Sequence, residues 1–308
     1  MELYDLKSMT REESARSPLS VALGNFDGVH RGHAVLIKHA VLYARQHQIK
    51  SAVWTFANEG SAIPNKPDTP AITTMREKLS LIRELGVDYV FLEDFGAVRD
   101  LSPERFVNEV LMRDVGAVCA VCGFNFRFGA SGAGDSGALR RLMSPFDTIV
   151  VPPVYVNGQL VSSSSVRTLV EDGDMEGAAV LLGHSFSLDL PVVTGKQLGR
   201  TIGIPTINQD FPHGHIIPKH GIYACRATVD GKDYAAVTNI GTRPSVDGDS
   251  QNVNCETHII DYMGDLYGQH VRICFCRRLR DEMKFSDIDK LRCAIECDIA
   301  QAREYFSK

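Results

Sequence analysis

The chain has 308 residues, a formal net charge of −5 at pH 7, and contents of 44% hydrophobic and 23% charged residues. That length accommodates two domains, and that composition is ordinary for a globular protein with a buried core. The negative charge balance provides no basic field for nucleic acid, and no run approaches the roughly 20 apolar residues that span a bilayer. The start at Met1 lacks a basic-then-apolar leader. We therefore expect a cytoplasmic protein with no nucleic-acid or membrane partner, and the oligomeric state stays open.

The first half of the chain alternates predicted strands and helices. Apolar runs of strand length occupy residues 19–23, 51–56, 87–92, 117–121 and 148–151. Helical patterns lie between them, at residues 34–46, 75–85, 103–113 and 135–143. Such alternation predicts a Rossmann-like α/β domain, in which a parallel sheet carries helices on both faces and binds ligands at the carboxyl ends of its strands.

A glycine-rich turn with two histidines follows the first predicted strand, as the sequence GNFDGVHRGH at residues 24–33. Strand, glycine-rich turn and helix together direct free backbone N–H groups and a positive helix end at an anion. His30 and His33 stand at that entrance. We predict a triphosphate site here, and the simpler alternative is a strand-to-helix connection with two solvated histidines. The candidate binding residues are Gly24, Asn25, Phe26 and Asp27.

Two later segments are predicted to converge on this turn. The loop GFNFRFG at residues 123–129 follows another strand, so Asn125 and the phenylalanines around it should reach the same rim. The phenylalanines either pack around a flat ring or fill the core. After an Asn-Gly hairpin at residues 154–161, the run SSSSVR could form a second anion site through Ser164 and Arg167, although a serine run is usually a cap or a linker.

The second half has a different pattern of predicted secondary structure. A hairpin is predicted at residues 222–229 and 232–240, with further strands at 255–260 and 271–279 and one long final helix. Short strands separated by Gly, Asp and Pro clusters indicate an antiparallel barrel or sandwich. The predicted domains are residues 1–185 and 186–308.

Candidate chemistry in the second half centres on three segments. Thr206 and Asn208 lie two apart after a glycine-rich approach, so on an extended segment both project to one side, as Mg²⁺ ligands beside phosphates would. Glu256 lies in a strand pattern and could act as a general base, although such a carboxylate is more often a surface or paired one. Arg243 and Arg280 supply cations for phosphate.

Eight cysteines without a leader are better interpreted as reduced thiols than as a disulfide framework. The pattern Cys119-Ala-Val-Cys122 lies in an apolar run typical of a buried strand, and no second CxxC provides metal-ligand spacing. We expect no metal or redox role for these residues.

Taken together, the motifs of both halves resemble those of the prokaryotic bifunctional riboflavin kinase/FAD synthetase family, from residue 21 to about residue 303. In the first half the matching motifs are GxFDGxHxGH at 24–33, GxNFxFG at 123–129 and SSSxxR at 162–167. In the second half they are GRxxGxPTxN at 199–208, NIGxRP at 239–244, ExH at 256–258, GDLYG at 264–268 and LRxExKF at 279–285.

The resemblance implies two reactions. A carboxyl-terminal β-barrel with a final helix would phosphorylate riboflavin to FMN with ATP and Mg²⁺, and an amino-terminal adenylyltransferase domain would convert FMN and a second ATP to FAD and pyrophosphate. His30 and His33 would stabilise charge on the phosphates, with Ser164 and Arg167 at the β/γ end and Asn125 on nucleotide or flavin phosphate. Thr206 and Asn208 would hold the metal, and Glu256 would deprotonate or orient the hydroxyl. The remaining residues expected to bind ATP or flavin are Gly199, Arg200, Gly203, Arg243, Arg280 and Phe285.

The chain departs from the family pattern at residues 57–60, where Ala-Asn-Glu-Gly replaces a run similar to Glu-Pro-His-Pro. That departure leaves a kinase with a weakened or inactive adenylyltransferase as one alternative. A non-catalytic protein that senses flavin or nucleotide is another. A different nucleotidyltransferase would explain the first half alone.

Overall fold

The computed structural model describes residues 1–6, 18–57, 69–195, 199, 202–243 and 252–307. The chain forms two compact units, Met1–Ala71 with Met75–Ser163, and Ile72–Thr74 with Ser164–Lys308. Within the described ranges, none of the helices is both long enough and apolar enough to cross a membrane.

The first unit is built on a parallel sheet. Its described strands are β1 (Glu2–Asp5), β2 (Leu19–Leu23), β3 (Lys50–Phe56), β4 (Tyr89–Glu93), β5 (Ala117–Gly123), β6 (Arg127–Phe128), β7 (Gly134–Asp135), β8 (Asp147–Val151), β9 (Tyr155–Val156) and β10 (Gln159–Leu160). Six of them form a sheet in the order β1-β4-β3-β2-β5-β8, and every neighbouring pair is parallel. The predicted Rossmann-like sheet is confirmed. The strand order reverses at β2, which is where such sheets open a crevice for ligands.

Helices cover both faces of this sheet. They are α1 (Arg31–His47), α2 (Met75–Glu84), α3 (Phe95–Val98), α4 (Pro103–Arg105), which continues in π-type turns over Phe106–Asp114, and α5 (Ser136–Met143). Alternate residues of β2 point to opposite faces. Leu19, Val21 and Leu23 pack in one core cluster with Phe106 of the π-type turns, whereas Ala22 packs in the other with α1 and α2. The carboxyl ends of the strands are left as the open rim.

The second unit contains a curled antiparallel sheet. Its elements follow the β9–β10 hairpin as α6 (Ser163–Asp172), α7 (Met175–Leu182), β11 (Phe186–Pro191), β12 (Ile207–Asp210), β13 (Gly221–Val229), β14 (Lys232–Arg243), β15 (Asn252–Ile259), β16 (His270–Arg280) and α8 (Ile288–Ser307). The strand order is β11-β16-β13-β14-β15-β12, with antiparallel neighbours throughout. The final helix packs on β13 and β14 through the buried Ala302.

A backbone bridge brings the two edges of this sheet together. The Val193 N–H donates to the Asn208 carbonyl at 2.8 Å. The buried amide of Gln209 adds two hydrogen bonds across the same seam, to the carbonyls of Leu190 at 2.7 Å and Val271 at 2.8 Å. The antiparallel sheet is therefore a barrel, as the resemblance implied, rather than a sandwich.

The helices before β11 pack within the second unit. α7 contacts β11 and β16, and Glu176 pairs with Arg277 of β16 at 2.7 Å. The division between residues 185 and 186 stays a prediction.

All eight cysteines lie within the described residues, and no disulfide bond joins them. Burial raises the pKa of both thiols of the CxxC pattern, Cys119 and Cys122, to about 11. These thiols therefore stay protonated at neutral pH.

Candidate active sites

The turn between β2 and α1 has an unusual backbone. Phe26, Gly28 and Val29 adopt positive φ values of 53°, 80° and 38°. Bulky residues rarely occupy this region, and such strain persists only where the surroundings fix it. Phe26 is fully buried, and the Thr55 hydroxyl donates to the Asn25 carbonyl at 3.0 Å. The core and β3 thus hold the turn in one conformation.

The two histidines are stacked at the amino end of α1. His30 is the N-cap, and its Nδ1 accepts the His33 backbone N–H at 3.2 Å. The two rings lie 3.6 Å apart between centroids and are nearly parallel, with the edge of Phe26 against His33. Because His30 Nδ1 accepts this bond, the neutral ring carries its proton on Nε2.

A cleft of about 560 Å³ opens over this turn, and we call it the histidine cleft. Polar groups of the β2–α1 turn and of the segment after β10 line one part of it: Asn25, His30, His33, Ser162 and Ser163. Aromatic side chains line another part: Trp54, Phe56, Phe95, Phe106, Phe126 and Phe128. The arrangement can take an anion at the helix end and a flat ring among the aromatic groups.

Most of the residues predicted for the first site line this cleft, namely Gly24, Asn25, Phe26, His30, His33 and Asn125. Asp27 is instead buried, and its carbonyl accepts the Ser163 hydroxyl at 3.2 Å. Burial lowers the pKa of Lys78 on α2, and the charge of Asp27 opposes that shift. Ser164 and the buried Arg167 lie on α6, in the second unit, so their participation stays a prediction.

The phenylalanines of the 123–129 loop have different surroundings. Phe128 is buried against Phe106, with ring centroids 5.4 Å apart, and Phe126 stacks on Phe128 at 5.6 Å. Phe124 is 49% exposed. Phe126 and Phe128 pack in the core cluster and also line the cleft, and their packing around a flat ring stays a prediction.

A second site lies where β12, β15 and β14 run side by side. Glu256 of β15 is in register with Asn208 on one side and Asn239 on the other. The Asn254 amide donates to Glu256 Oε1 at 2.7 Å and to Asn208 Oδ1 at 3.2 Å. A Cβ on Gly195 would lie 2.3 Å from Asn208 Nδ2, so any larger residue there would displace the Asn208 side chain. Glu256 is therefore a held carboxylate within an amide cluster.

Thr206 stands between two clefts. The first, which we call the helix cleft, has a volume of about 200 Å³ and is lined by Thr206, Asn239, Glu256, Arg280, Phe285 and side chains of α8. The second, the loop cleft, has a volume of about 250 Å³ and is lined by Thr206 and the 262–267 loop. The Pro205 carbonyl bonds His258 Nδ1 at 2.8 Å, which anchors Thr206 against β15.

Arg280 has a carboxylate partner. Its guanidinium holds the buried Asp298 through two bonds, Nε to Oδ1 at 2.9 Å and Nη2 to Oδ2 at 2.7 Å. Phe285 lies 6.0 Å from the guanidinium carbon. The charge of Arg280, which was predicted to bind phosphate, is thus paired with Asp298 of α8, and this ion pair braces the wall of the helix cleft.

The glycine-rich segment before β12 turns back on itself at Gly199. The Gly199 carbonyl accepts hydrogen bonds from the N–H groups of Ile202 at 3.3 Å and Ile204 at 2.8 Å. Gly203 has a φ of 78°. Arg200 and the side chain of Arg243 lie outside the described residues.

Sequence reasoning missed two contributors. Asn254 lies two residues before Glu256, so strand alternation alone puts both on one face. Trp54 lies two residues before Phe56, and the same alternation puts both on the cleft face of β3. In each case the missing information was which face of the strand meets the site.

The described residues contain no group of three or more His, Cys, Asp or Glu side chains placed to hold a metal ion. Any metal at the second site would therefore depend on hydroxyl, amide and carboxylate oxygens together with ligand phosphates.

Comparison with known proteins assigns both halves. A family model described as FAD synthetase matches residues 12–165, and one described as riboflavin kinase matches residues 182–306. The bifunctional riboflavin kinase/FMN adenylyltransferase of Escherichia coli strain K12 is 35% identical over 291 residues, 93% of this chain and 92% of the relative. The protein of the same name from Bacillus subtilis strain 168 is 33% identical, over 97% of this chain and 95% of the relative. A crystal structure described as a macrolide-efflux protein from Streptococcus pneumoniae aligns with a TM-score of 0.85 and 28% identity over 98% of both chains.

Proposed function

The chain belongs to the bifunctional riboflavin kinase/FMN adenylyltransferase family, and on that premise we propose how its two sites divide the work. The barrel phosphorylates riboflavin with ATP to give FMN. The parallel-sheet unit joins FMN to the adenylyl group of a second ATP, giving FAD and pyrophosphate. The observation that carries this proposal is the presence in one chain of both the stacked histidine pair and the Glu256 amide cluster.

In adenylyl transfer, an FMN phosphate oxygen attacks the α-phosphorus of ATP and pyrophosphate leaves. We assign His30 and His33, with the amino end of α1, to the negative charge that develops on the bridging and leaving oxygens. A neutral His30 whose Nδ1 accepts the capping bond carries its proton on Nε2, and a donor at that atom would serve this task. Asn125 lines the same cleft and would contact phosphate, and Ser164 and Arg167 are assigned to the β/γ end of ATP.

In riboflavin phosphorylation, Glu256 would orient or deprotonate the ribityl 5′-hydroxyl. Its hydrogen bond from Asn254 fixes the carboxylate direction, which supports a positioning role of the kind that dominates phosphoryl transfer. The helix cleft, with Phe285 and α8, would hold the flavin ring, and the loop cleft would hold ATP. Thr206 lines both, so it lies where the γ-phosphate and the hydroxyl would meet.

The donor set fits Mg²⁺. Oxygen donors cluster beside Glu256, and the buried Oδ1 atoms of Asn239 and Asn254 have no hydrogen-bond partner among the described residues. Thr206 and Asn208 are the proposed protein ligands. When bound with ATP, Mg²⁺ would neutralise phosphate charge.

The other expectations concern the location of the protein and the molecules that it binds. We propose a cytoplasmic enzyme whose partners are ATP, riboflavin and FMN. The alternatives of an inactive adenylyltransferase or a sensor lose support because relatives named for both activities match nearly the whole chain.

Product analysis tests the proposal. Wild-type protein with riboflavin, ATP and Mg²⁺ should yield FMN and then FAD. His33→Ala should abolish FAD formation and keep FMN formation, whereas the control His39→Ala, at an exposed position of α1, should keep both. FMN that accumulates without FAD in the wild type would contradict the two-reaction proposal.

The kinase assignment has its own test. Glu256→Ala should abolish FMN formation and still convert supplied FMN to FAD, and Glu296→Ala, exposed on α8, serves as the control. Undiminished FMN formation by Glu256→Ala would refute the role given to this carboxylate. Tight flavin binding by the wild type without any turnover would instead indicate a sensor.

A further inference from the structure

Thr206 lines both the helix cleft and the loop cleft, yet its backbone precedes the paired part of β12. The first residue of this strand in register with β15 is Ile207, which lies opposite Thr257. Continuation of this antiparallel register by one residue would put Thr206 opposite His258. The placement of Thr206 therefore depends on contacts beyond those of the strand ladder.

The side chain of His258 supplies such a contact. His258 lies on β15 opposite Val237 of β14, and it lines the helix cleft. Its Nδ1 atom lies 2.8 Å from the carbonyl oxygen of Pro205, the residue before Thr206. A carbonyl oxygen only accepts hydrogen bonds, so this contact assigns a proton to Nδ1 and makes His258 the donor. The bond fixes the direction of the planar peptide that joins Pro205 to Thr206.

Gly199 contacts the same segment. Its carbonyl accepts the Ile204 N–H at 2.8 Å. A Cβ on Gly199 would lie 2.3 Å from the Ile204 carbonyl oxygen and 3.4 Å from Thr206 Oγ1, so the hydroxyl lies close to the Gly199 backbone. Because a β-branched side chain has few χ1 rotamers, the direction of the Thr206 hydroxyl follows that of the backbone before it.

We propose that His258 is a positioning residue for riboflavin phosphorylation, which acts through the Pro205 carbonyl on the direction of the Thr206 hydroxyl. Hydrogen-bond partners outside a metal site orient its ligands in the same way, and their loss weakens metal binding. The inference rests on the proposed function of the barrel, in which Thr206 is a ligand of Mg²⁺ beside the phosphates. This role differs from that of Glu256, which is assigned to the ribityl hydroxyl.

Hydrogen exchange of residues 202–208 tests the proposal without turnover. The protein is held with ADP, Mg²⁺ is titrated, and mass spectrometry follows this segment alone. We expect His258→Leu, which lacks the donor, to need about 10-fold more Mg²⁺ than the wild type for the same protection. His258→Asn, whose Nδ2 can donate in place of Nδ1, should need less Mg²⁺ than His258→Leu. The control His213→Leu, at an exposed position of the same unit, should match the wild type.

A double-mutant cycle tests whether His258 acts through Thr206. Thr206→Val keeps the branched shape and removes the hydroxyl. His258→Leu should therefore lower kcat for FMN formation about 10-fold in the wild-type background, and less than about 2-fold in the Thr206→Val background. FAD formation from supplied FMN should be unchanged, because the substitutions lie in the barrel.

Equal Mg²⁺ requirements of His258→Leu and the wild type would overturn the proposal. An equal loss of kcat in both backgrounds would also overturn it, and so would equal defects of His258→Leu and His258→Asn. His258→Phe, which keeps a ring without the Nδ1 donor, gives the same comparisons if His258→Leu does not fold. Absence of FMN formation by the wild type would instead refute the function assigned to the barrel.

Discussion

Glu93, the last residue of β4, is expected to make the first unit less stable as the pH rises. Its side chain is buried, and burial raises its pKa from 4.5 to about 7, against the opposing hydrogen bond from the Asp94 backbone N–H. Glu93→Gln keeps an oxygen acceptor for that N–H and removes the charge. The substitution therefore isolates the cost of the buried carboxylate.

The sign follows from the two pKa values. Below 4.5 the carboxyl is protonated in both states, and the full stability is present. Between 4.5 and about 7 the unfolded chain loses its proton while the folded protein keeps it, so the free energy of unfolding falls. At about 1.4 kcal/mol per pH unit, the interval from 4.5 to about 7 corresponds to a loss of about 3 kcal/mol.

Urea unfolding followed by tryptophan fluorescence measures this loss, because the single Trp54 lies on β3, the neighbour of β4. The advantage of Glu93→Gln over wild type should be small near pH 4.5 and approach about 3 kcal/mol near pH 8. Glu84→Gln, at an exposed position of α2, is the control. A difference between Glu93→Gln and wild type that stays constant with pH would refute the reasoning.

Three further outcomes are expected. Arg280→Met leaves Asp298 buried and unpaired, so thermal unfolding should show that the free energy of unfolding of the barrel falls by about 3–5 kcal/mol. The control Arg303→Met removes an exposed ion pair and should lower it by about 0–1 kcal/mol. Equal effects of the two substitutions would contradict the bracing role of Arg280. Thr55→Val removes the bond to the Asn25 carbonyl and should lower kcat/KM for FAD formation about 5-fold, while FMN formation is unchanged; an unchanged kcat/KM would mean that the turn does not need this bond. Alkylation of native protein near neutral pH, read by mass spectrometry, should modify the exposed thiols first, and rapid modification of Cys119 or Cys122 would contradict their burial. The exposed thiols are Cys293 and Cys297.

Much of the first unit could be predicted because its strands are short apolar runs bounded by turn residues. Residues 19–23 were predicted as a strand and coincide with β2. β1 was missed because Glu2–Asp5 is a four-residue edge strand with a charged residue at each end and no buried apolar run. The parallel order follows from alternation with helices, which local sequence expresses well.

The barrel strands next to the second site were harder to predict. β12 has the sequence INQD, and its two amide residues, Asn208 and Gln209, are buried for reasons that lie elsewhere in the chain. Gln209 bonds carbonyls of β11 and β16, and Asn208 bonds Asn254. No hydrophobic period marks such a strand. Thr206, Asn208 and Glu256 were nevertheless selected from their residue types and the motif spacing; Thr206 and Glu256 line the helix cleft, and the roles of all three stay predictions.

The bridge that closes the barrel has a consequence for the effect of substrate binding on the backbone. Asn208 contributes its carbonyl to the bridge with Val193 and its side chain to the amide cluster around Glu256. A ligand that holds Asn208 in place therefore also holds the edge of the sheet that depends on the fewest backbone pairs. We therefore expect ligand binding at the proposed site to slow the exchange of the Val193 amide proton with solvent.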